Sequence, residues 1–214
     1  MIVTIDGPAG TGKSTAARRL AERLGFDFLN TGAMYRAVAA AALHRGWDLR
    51  QDTSIDSAMA ATLSELARRP IDPQTIPLLQ SPNLSQAASI VAQIPGVRAA
   101  LVEQQQQIAA GKDIVCEGRD QGTVVFPHAE CKFFLTATAQ ERALRRQAEL
   151  FAQGQTIALN ELIAQQSERD NRDAQRSVAP LCAAADAVHL DTTGLSPDEV
   201  VQQMERIVRD RQVG

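Results

Sequence analysis

The chain has 214 residues, of which 44% are hydrophobic, so it can bury a sizeable core as one domain or as a core with an insertion. Its net charge of −3 and its aromatic content of 4% do not favour nucleic acid as a partner, because backbone binding needs a cationic surface and single-strand binding needs stacking rings. No apolar run has the length of a membrane span, and the N-terminus lacks the pattern of a signal peptide. We therefore expect a cytoplasmic monomer that binds neither nucleic acid nor a membrane.

The cysteines Cys116, Cys131 and Cys182 have neither C-x-x-C spacing nor neighbouring histidines, so no zinc site is predicted. Cys116 and Cys131 lie in apolar, strand-like runs and are predicted to be small core residues. This use of cysteine is typical of a reducing compartment.

The first 24 residues predict a strand, a glycine-rich loop and a helix. Ile2 to Ile5 is a β-branched apolar run, and from Ala17 to Leu24 small and apolar residues recur at helical spacing. The loop between them fits the phosphate-binding pattern G-x-x-x-x-G-K-[ST]. It consists of Gly7, Pro8, Ala9, Gly10, Thr11, Gly12, Lys13 and Ser14.

This loop predicts an ATP site, to which we also assign the next residue, Thr15. Glycines let backbone N–H groups turn towards an anion, and the helix N-terminus adds its positive dipole end. Lys13 would place a cation on the terminal phosphates, and the Ser14 hydroxyl would bind Mg²⁺. The alternative is an ordinary glycine-rich turn with a surface lysine; the strand before it and the helix after it favour the ATP site.

The next elements are a strand over 26–29 and a helix over 34–44, with Tyr35 and Arg36 at its start. Residues from about 48 to 83 contain a helical stretch over 58–67 and then closely spaced prolines, which exclude a long helix or a central strand. We interpret this region as a small, shortened insertion on the core. Helices are predicted over 84–93 and 95–109.

Strands are predicted over 113–116, 131–135 and 187–190, with helices up to about 152, over 159–174 and over 197–212. Alternation of strands and helices predicts an α/β fold, with a parallel sheet of about five strands and helices on both faces. Ligands of such sheets bind beyond the carboxyl ends of the strands, where the phosphate loop and residues 30–36, 117–120 and 191–193 should meet.

Arginines dominate the candidate chemistry. Arg169, Asp173 and Arg176 share one face of a helix, either as surface ion pairs or as groups that neutralise a phosphate in transfer. Arg142, Arg145 and Arg146 form a second face that is either exposed or part of a lid, which we place at about 142–180. Arg119 and Asp120 follow a buried strand, where they form a structural ion pair or contact the phosphate acceptor.

Several segments of the chain closely resemble the bacterial cytidylate kinase family, a group of nucleoside-monophosphate kinases. The resemblance is most specific in two segments, which read G-R-D-Q-G-T-V-V-F-P from Gly118 and E-R-D-N-R-D-A-Q-R from Glu168. It also covers the phosphate loop and the segments Thr31–Arg36, Gln86–Ser89, Ile94–Arg98 and Ser177–Leu181.

The resemblance implies a P-loop kinase domain over 1–214 that transfers the γ-phosphate of ATP to CMP or dCMP with Mg²⁺. It implies that Ser89, Arg98 and Asp120 bind the cytosine edge and that Arg36 and Arg119 hold the acceptor phosphate. Thr31, where the family usually has serine, and Tyr35 would lie near the acceptor. Arg169 and Asp173 would contact the sugar, and Arg176 would bridge the phosphates in transfer; Lys13, Arg119 and Arg176 are the expected catalytic residues.

One departure from the family concerns residues 68–83, which are short, proline-rich and without alternating strands, so the usual small antiparallel sheet is not expected there. Selectivity for CMP over UMP is therefore open. Two alternatives stay open with it: a kinase for another small acceptor such as UMP, AMP or shikimate, and a nucleotide-binding module without catalysis.

Overall fold

The computed structural model describes residues 1–47, 57–69, 82–176 and 178–213, and within these it contains strands that alternate with helices. The strands are β1 (Ile2–Asp6), β2 (Asp27–Asn30), β3 (Ile114–Glu117), β4 (Cys131–Thr136) and β5 (Val188–Asp191). The helices are α1 (Lys13–Leu24), α2 (Thr31–His44), α3 (Ser57–Ala67), α4 (Pro82–Val91), α5 (Pro95–Ala109), α6 (Ala139–Ala152), α7 (Leu159–Gln175) and α8 (Pro197–Val213).

The strands form one five-stranded sheet in the order β2-β3-β1-β4-β5. β1 is central and pairs in parallel with β3 and β4, with Ile5 opposite Glu117 on one side and Phe133 on the other. The predicted α/β class with a parallel sheet is confirmed. Since the strands run in parallel, the segments that follow β1, β3, β4 and β5 leave the sheet at the same edge.

Helices α1 and α8 cover one face of the sheet. Their apolar residues recur at helical spacing, and they pack against alternate residues of β1 and β4, which point to one face. The resulting core contains Val3, Ile5, Ala17, Leu20, Phe133, Leu135, Val201, Met204 and Val208. Cys131, as predicted, is a buried member of this core. Cys116 is buried as well, and burial raises the pKa of its thiol to about 12.

The described chain divides into two compact units. The first comprises residues 1–29 and 111–214 and contains most of the sheet. The second comprises residues 30–110, in which α2 packs against α4 and α3 packs against α5. Among the described helices, none combines the length and the apolar character needed to cross a membrane. Residues 48–56 and 70–81, which carry most of the predicted insertion, lie outside the described part.

Most predicted elements lie within one or two residues of the observed ones, but α2 begins at Thr31 rather than Met34. The Asn30 side chain explains the difference, because its Oδ1 accepts a hydrogen bond from the Ala33 N–H 3.0 Å away and so caps the helix. A π-helical turn at Gln121–Val125, after β3, was not predicted. Its irregular backbone gives no periodic sequence signal.

Gly7, the first residue after β1, lies against the backbone of β4. Its φ is +141°, and a Cβ added to it would lie 2.1 Å from the Leu135 carbonyl oxygen. An atom of that size fits only if one of the two backbones moves. Glycine is therefore required where β1 passes into the phosphate loop.

We predict that Gly7→Ala lowers the free energy of unfolding by more than about 3 kcal/mol, because the added methyl group clashes with the backbone of β4 beside the central strand. The matched control is Gly25→Ala: Gly25 also has a positive φ, +69°, but no atom lies within 4 Å of an added Cβ. This control should cost about 1 kcal/mol, the strain of a left-handed alanine. Urea unfolding followed by circular dichroism measures both, and equal losses would show that the close approach has no energetic weight.

Candidate active site

The phosphate loop joins β1 to α1 and presents the N-terminus of that helix. Gly10 and Gly12 have φ of +79° and +84°, a backbone that glycine adopts without strain and that helps to turn N–H groups into the loop. Lys13 opens α1 and is 6% exposed, and its Nζ donates to the Pro8 carbonyl oxygen 2.6 Å away. Burial, together with the nearby Arg119, holds the pKa of Lys13 well below its usual range. A bound polyphosphate would remove that penalty, since it places negative charge beside the ammonium group.

Ser14 is paired with a residue to which the sequence assigned no role. The Ser14 hydroxyl donates to Glu117 Oε1 at 2.7 Å, and Glu117, the last residue of β3, is 5% exposed. The position of Glu117 at a strand end was visible in the sequence. Its proximity to Ser14 depends on β3 lying beside β1, which is a property of the sheet order.

Arg119 connects the phosphate loop to α7. Its Nη1 donates to the Gly7 carbonyl oxygen at 3.0 Å, and its Nε donates to Asp173 Oδ2 at 3.1 Å. Arg169 Nε lies 3.9 Å from the same carboxylate oxygen. Arg119, Arg169 and Asp173 therefore lie together in the first unit. The ion pair with Asp173 connects Arg119 to α7.

Asp173 is 3% exposed and is surrounded by guanidinium groups. Although burial raises its pKa, the charges of Arg119, Arg169 and Arg176 outweigh that effect and hold the pKa below its usual value. The carboxylate is therefore ionised at neutral pH and binds the arginines together before any phosphate is present.

Arg176 follows the last turn of α7 and is 9% exposed. Its Nε donates to the Ala179 carbonyl oxygen, and Ala179 has a φ of +52°, a left-handed conformation that is unfavourable for alanine. The Leu181 N–H donates to the Asp173 carbonyl oxygen at 2.8 Å, which closes the turn against the helix. Strained backbone beside a buried arginine is a feature that clusters at functional sites.

The arginines of α6 differ in their surroundings. Arg142 is 7% exposed, and its Nη1 donates both to the Ala9 carbonyl oxygen at 3.0 Å and to Asp170. Arg145 donates to the hydroxyl and the carbonyl oxygen of Thr192, at 3.0 and 2.6 Å. Arg146 pairs with Glu149 on the surface. Arg142 is thus buried against the phosphate loop rather than exposed, while a lid movement of residues 142–180 stays a prediction.

The other predicted acceptor residues lie in the second unit, on α2, α4 and α5. Thr31, Tyr35, Ser89 and Arg98 are all at most 8% exposed, and Arg36 is half-buried. The Arg98 Nη1 lies 3.4 Å from the Tyr35 hydroxyl and 3.5 Å from the Ala92 carbonyl oxygen. A buried arginine beside a phenol hydroxyl, with a serine on a neighbouring helix, is suited to hydrogen-bonding a polar aromatic ring.

The predicted site residues therefore fall into two groups. The first unit contains the phosphate loop, Thr15, Arg119, Asp120, Arg169, Asp173 and Arg176. The second contains Thr31, Tyr35, Arg36, Ser89 and Arg98. In the first group Arg119 pairs with Asp173, and in the second the Arg98 guanidinium lies 3.4 Å from the Tyr35 hydroxyl.

Comparison with solved structures bears on the fold alone. An uncharacterised protein from Eubacterium ventriosum superimposes with a TM-score of 0.57 over 98% of both chains, at 9% identity. The protein TT1252 from Thermus thermophilus superimposes with a TM-score of 0.50 over all of this chain and 98% of its own, at 18% identity.

Comparison of sequences is more specific. The family model described as cytidylate kinase matches residues 3–210. The cytidylate kinase of Rhodopirellula baltica is 47% identical over 98% of this chain and 93% of its own length. That of Vibrio cholerae is 42% identical over 99% of this chain and 97% of its own. Together with the phosphate loop and the arginine cluster around Asp173, these matches show that the chain belongs to the cytidylate kinase family.

Proposed function

We propose that this protein transfers the γ-phosphate of ATP to CMP and dCMP, forming ADP and the corresponding diphosphate. The observation that carries the proposal is the cluster in which the buried Asp173 holds the half-buried Arg119 and Arg169, with Arg119 also bonded to the phosphate loop at Gly7. A site that only binds ATP does not need a second set of cations beside the loop, whereas phosphoryl transfer does. Family membership supports the same reaction.

On the donor side, the loop amides and Lys13 would hold the β- and γ-phosphates. Ser14 and Glu117 place a hydroxyl and a carboxylate oxygen side by side, and oxygen donors of this kind fit Mg²⁺. Mg²⁺ usually keeps several waters and binds few protein groups besides the phosphates, so this small donor set is sufficient. When bound, the ion would supply charge neutralisation between the β- and γ-phosphates.

On the acceptor side, Arg36 and Arg119 would bind the monophosphate, and the Thr31 hydroxyl would donate a further hydrogen bond to it. The acceptor oxygen is already an anion at neutral pH, so the site needs no general base. What it needs is alignment of two anionic groups that repel each other, and positioned guanidinium groups supply it. Arg176 would neutralise the charge on the phosphate during transfer.

Cytosine recognition would fall to Ser89, Arg98 and Asp120. The exocyclic amine of cytosine is a donor that Asp120 and Ser89 can accept, and its ring nitrogen and carbonyl oxygen are acceptors for Arg98. Uracil presents an acceptor in place of that amine, so its carbonyl oxygen would face the Asp120 carboxylate and the two acceptors would repel each other. Tyr35 would hold the Arg98 guanidinium in place, and Arg169 with Asp173 would contact the sugar.

Arg142 and Arg145 bring α6 onto the phosphate loop and onto the loop after β5. We assign residues 142–180 to a lid that excludes water during transfer, because water would compete with CMP as the phosphate acceptor. The reaction should proceed in the cytoplasm, since the free cysteines Cys116 and Cys131 are buried and fit a reducing compartment. We expect the enzyme to act as a monomer.

We expect Arg176→Ala to lower kcat by about 100- to 1,000-fold with little change in the KM values, because the lost interaction acts in the transition state. Arg172→Ala is the matched control: Arg172 lies one turn earlier on α7 and pairs with Glu168, and its loss should change kcat less than about threefold. A coupled ADP assay with a thermal melt of each variant measures the effect; near-normal kcat in folded Arg176→Ala would remove this residue from the mechanism.

We expect the wild type to prefer CMP and dCMP over UMP and AMP, and Tyr35→Phe to raise the KM for CMP about threefold, since it frees the Arg98 guanidinium from one partner. Arg98→Ala should raise that KM by about tenfold or more while the KM for ATP stays the same. Arg45→Ala, on the exposed end of α2, is the control. Equal rates on all four monophosphates would contradict the assignment, and ATP binding without transfer to any of them would favour a non-catalytic module.

Glu117→Gln keeps an oxygen that can accept from Ser14 but removes the negative charge, so the Mg²⁺ concentration for half-maximal rate should rise by about tenfold or more. Glu161→Gln, on the exposed face of α7, should leave the Mg²⁺ dependence unchanged. Titration of Mg²⁺ at saturating ATP and CMP separates the two. An unaltered Mg²⁺ curve for Glu117→Gln would exclude Glu117 from the metal site.

A further inference from the structure

The second face of the central strand is unusually polar and is covered by an irregular segment. Because side chains alternate along a strand, Thr4 and Asp6 of β1 point away from the α1–α8 core, and the register places Lys132 of β4 beside Thr4. Thr4, Asp6 and Lys132 are at most 5% exposed. The π-helical turn Gln121–Val125 packs against β1 in the same unit.

Asp6 binds the start of that turn with both carboxylate oxygens. Its Oδ1 accepts from the Gln121 N–H at 2.9 Å, and its Oδ2 accepts from the Gly122 N–H at 2.7 Å. Burial raises the pKa of Asp6 to about 6, although these two hydrogen bonds lower it in part. Burial of the Asp6 carboxylate therefore costs free energy, and the hydrogen bonds from the two backbone N–H groups offset part of that cost.

Lys132 binds the end of the same segment. Its Nζ donates to the Pro127 carbonyl oxygen at 2.6 Å and to Asp186 Oδ1 at 2.9 Å. The Lys132 side chain is 6% exposed, whereas that of Asp186 is 62% exposed. The Pro127 bond is therefore the contact that joins Lys132 to the segment, and the largely exposed Asp186 carboxylate supplies its counter-charge.

Gly122 lies close to the side chains of both Asp6 and Lys132. A Cβ on Gly122 would lie 2.9 Å from Thr4 Oγ1, 3.2 Å from Lys132 Cδ and 3.4 Å from Asp6 Oδ2. The Thr4 hydroxyl oxygen has no hydrogen-bond partner in the described part of the chain, so its contact with Gly122 is steric. The segment is thus both hydrogen-bonded to the sheet and in close contact with it.

We propose that Asp6 and Lys132 are positioning residues that hold residues 118–127 on the sheet and so set where Arg119 and Asp120 meet the phosphate acceptor. The inference rests on the proposed function, in which those two residues bind CMP. Asp6 reaches Asp120 through the segment, because Asp120 directly precedes Gln121 and Gly122, whose N–H groups donate to the Asp6 carboxylate. Buried charges add little net stability compared with apolar residues but can specify register, which is the role assigned to them here.

The first test is Lys132→Met, which keeps the length of the side chain and removes the bond to Pro127. The KM for CMP should rise about three- to tenfold, while the KM for ATP should stay within about twofold. Lys112→Met removes an exposed lysine that pairs with Asp27 and should behave as wild type. Asp186→Asn should also stay close to wild type, because it leaves the Pro127 bond intact.

The second test uses the close contact at Gly122. Gly122→Ala should raise the KM for CMP by a similar factor, because the methyl group pushes the turn away from Asp6. Thr4→Ala alone should have little effect, and the double variant should recover part of the lost affinity because the nearest obstructing atom is gone. Hydrogen exchange of the Gln121 and Gly122 amides, measured by NMR, should be faster in Lys132→Met and Gly122→Ala, with β1 and β4 unchanged.

The results distinguish a failure of the proposed function from a failure of the positioning role. Absence of CMP phosphorylation by the wild type would overturn the proposed function. An active wild type with equal changes in the KM for CMP and for ATP, or with faster amide exchange and an unchanged KM for CMP, would overturn the positioning role. If Lys132→Met does not fold, the positioning role is tested by Gly122→Ala and by the double variant that also carries Thr4→Ala. An unchanged KM for CMP in folded Gly122→Ala would then overturn that role.

Discussion

The contact between Gly7 and the backbone of β4 is the constraint on which the site depends. β1 lies at the centre of the sheet, so the residue that leaves it passes between the ends of its neighbours. There is no room for a Cβ at that point, and the chain turns away with a positive φ. The turn leads into the phosphate loop, and the Gly7 carbonyl oxygen becomes the acceptor for Arg119. The same glycine thus begins the phosphate loop and fixes one contact of Arg119.

Carboxylates partly offset the guanidinium charge in the first unit. Asp173 lies beside both Arg119 and Arg169, Asp170 pairs with Arg142, and Glu117 lies at the base of the loop beside Ser14. Carboxylates at these points keep the guanidinium groups oriented in advance, which is the condition for electrostatic stabilisation of a transferring phosphate. Phosphate oxygens and Mg²⁺ would then enter a site whose dipoles and charges are already arranged.

Buried polar contacts also position a segment of the chain on the polar face of β1. A regular helix would cover a sheet face with apolar side chains, but the segment after β3 has to carry Arg119 and Asp120 to the strand ends. It is held instead by backbone hydrogen bonds to Asp6 and Lys132. Burying these charges costs free energy, and their role is to fix the position of residues 118–127 rather than to stabilise the fold.

Local patterns in the sequence were sufficient for the elements and for the donor loop. Apolar periodicity, proline and glycine positions located most helices and strands, and the G-x-x-x-x-G-K-[ST] pattern between a strand and a helix predicted the ATP site. Resemblance to the family supplied the arginines, because their spacing on one helix was also compatible with surface ion pairs. The start of α2 and the π-helical turn were missed, since one depends on a cap and the other has no periodic signal.

The pairings inside the site could not be derived from the sequence. Ser14 meets Glu117 across 103 residues, Arg119 meets Gly7 across 112, and Arg119 meets Asp173 across 54. Such contacts depend on the strand order and on how α7 packs, and neither is encoded in any short stretch of chain. Residue types and local periodicity therefore determine which groups are available, whereas the order β2-β3-β1-β4-β5 determines which of them touch.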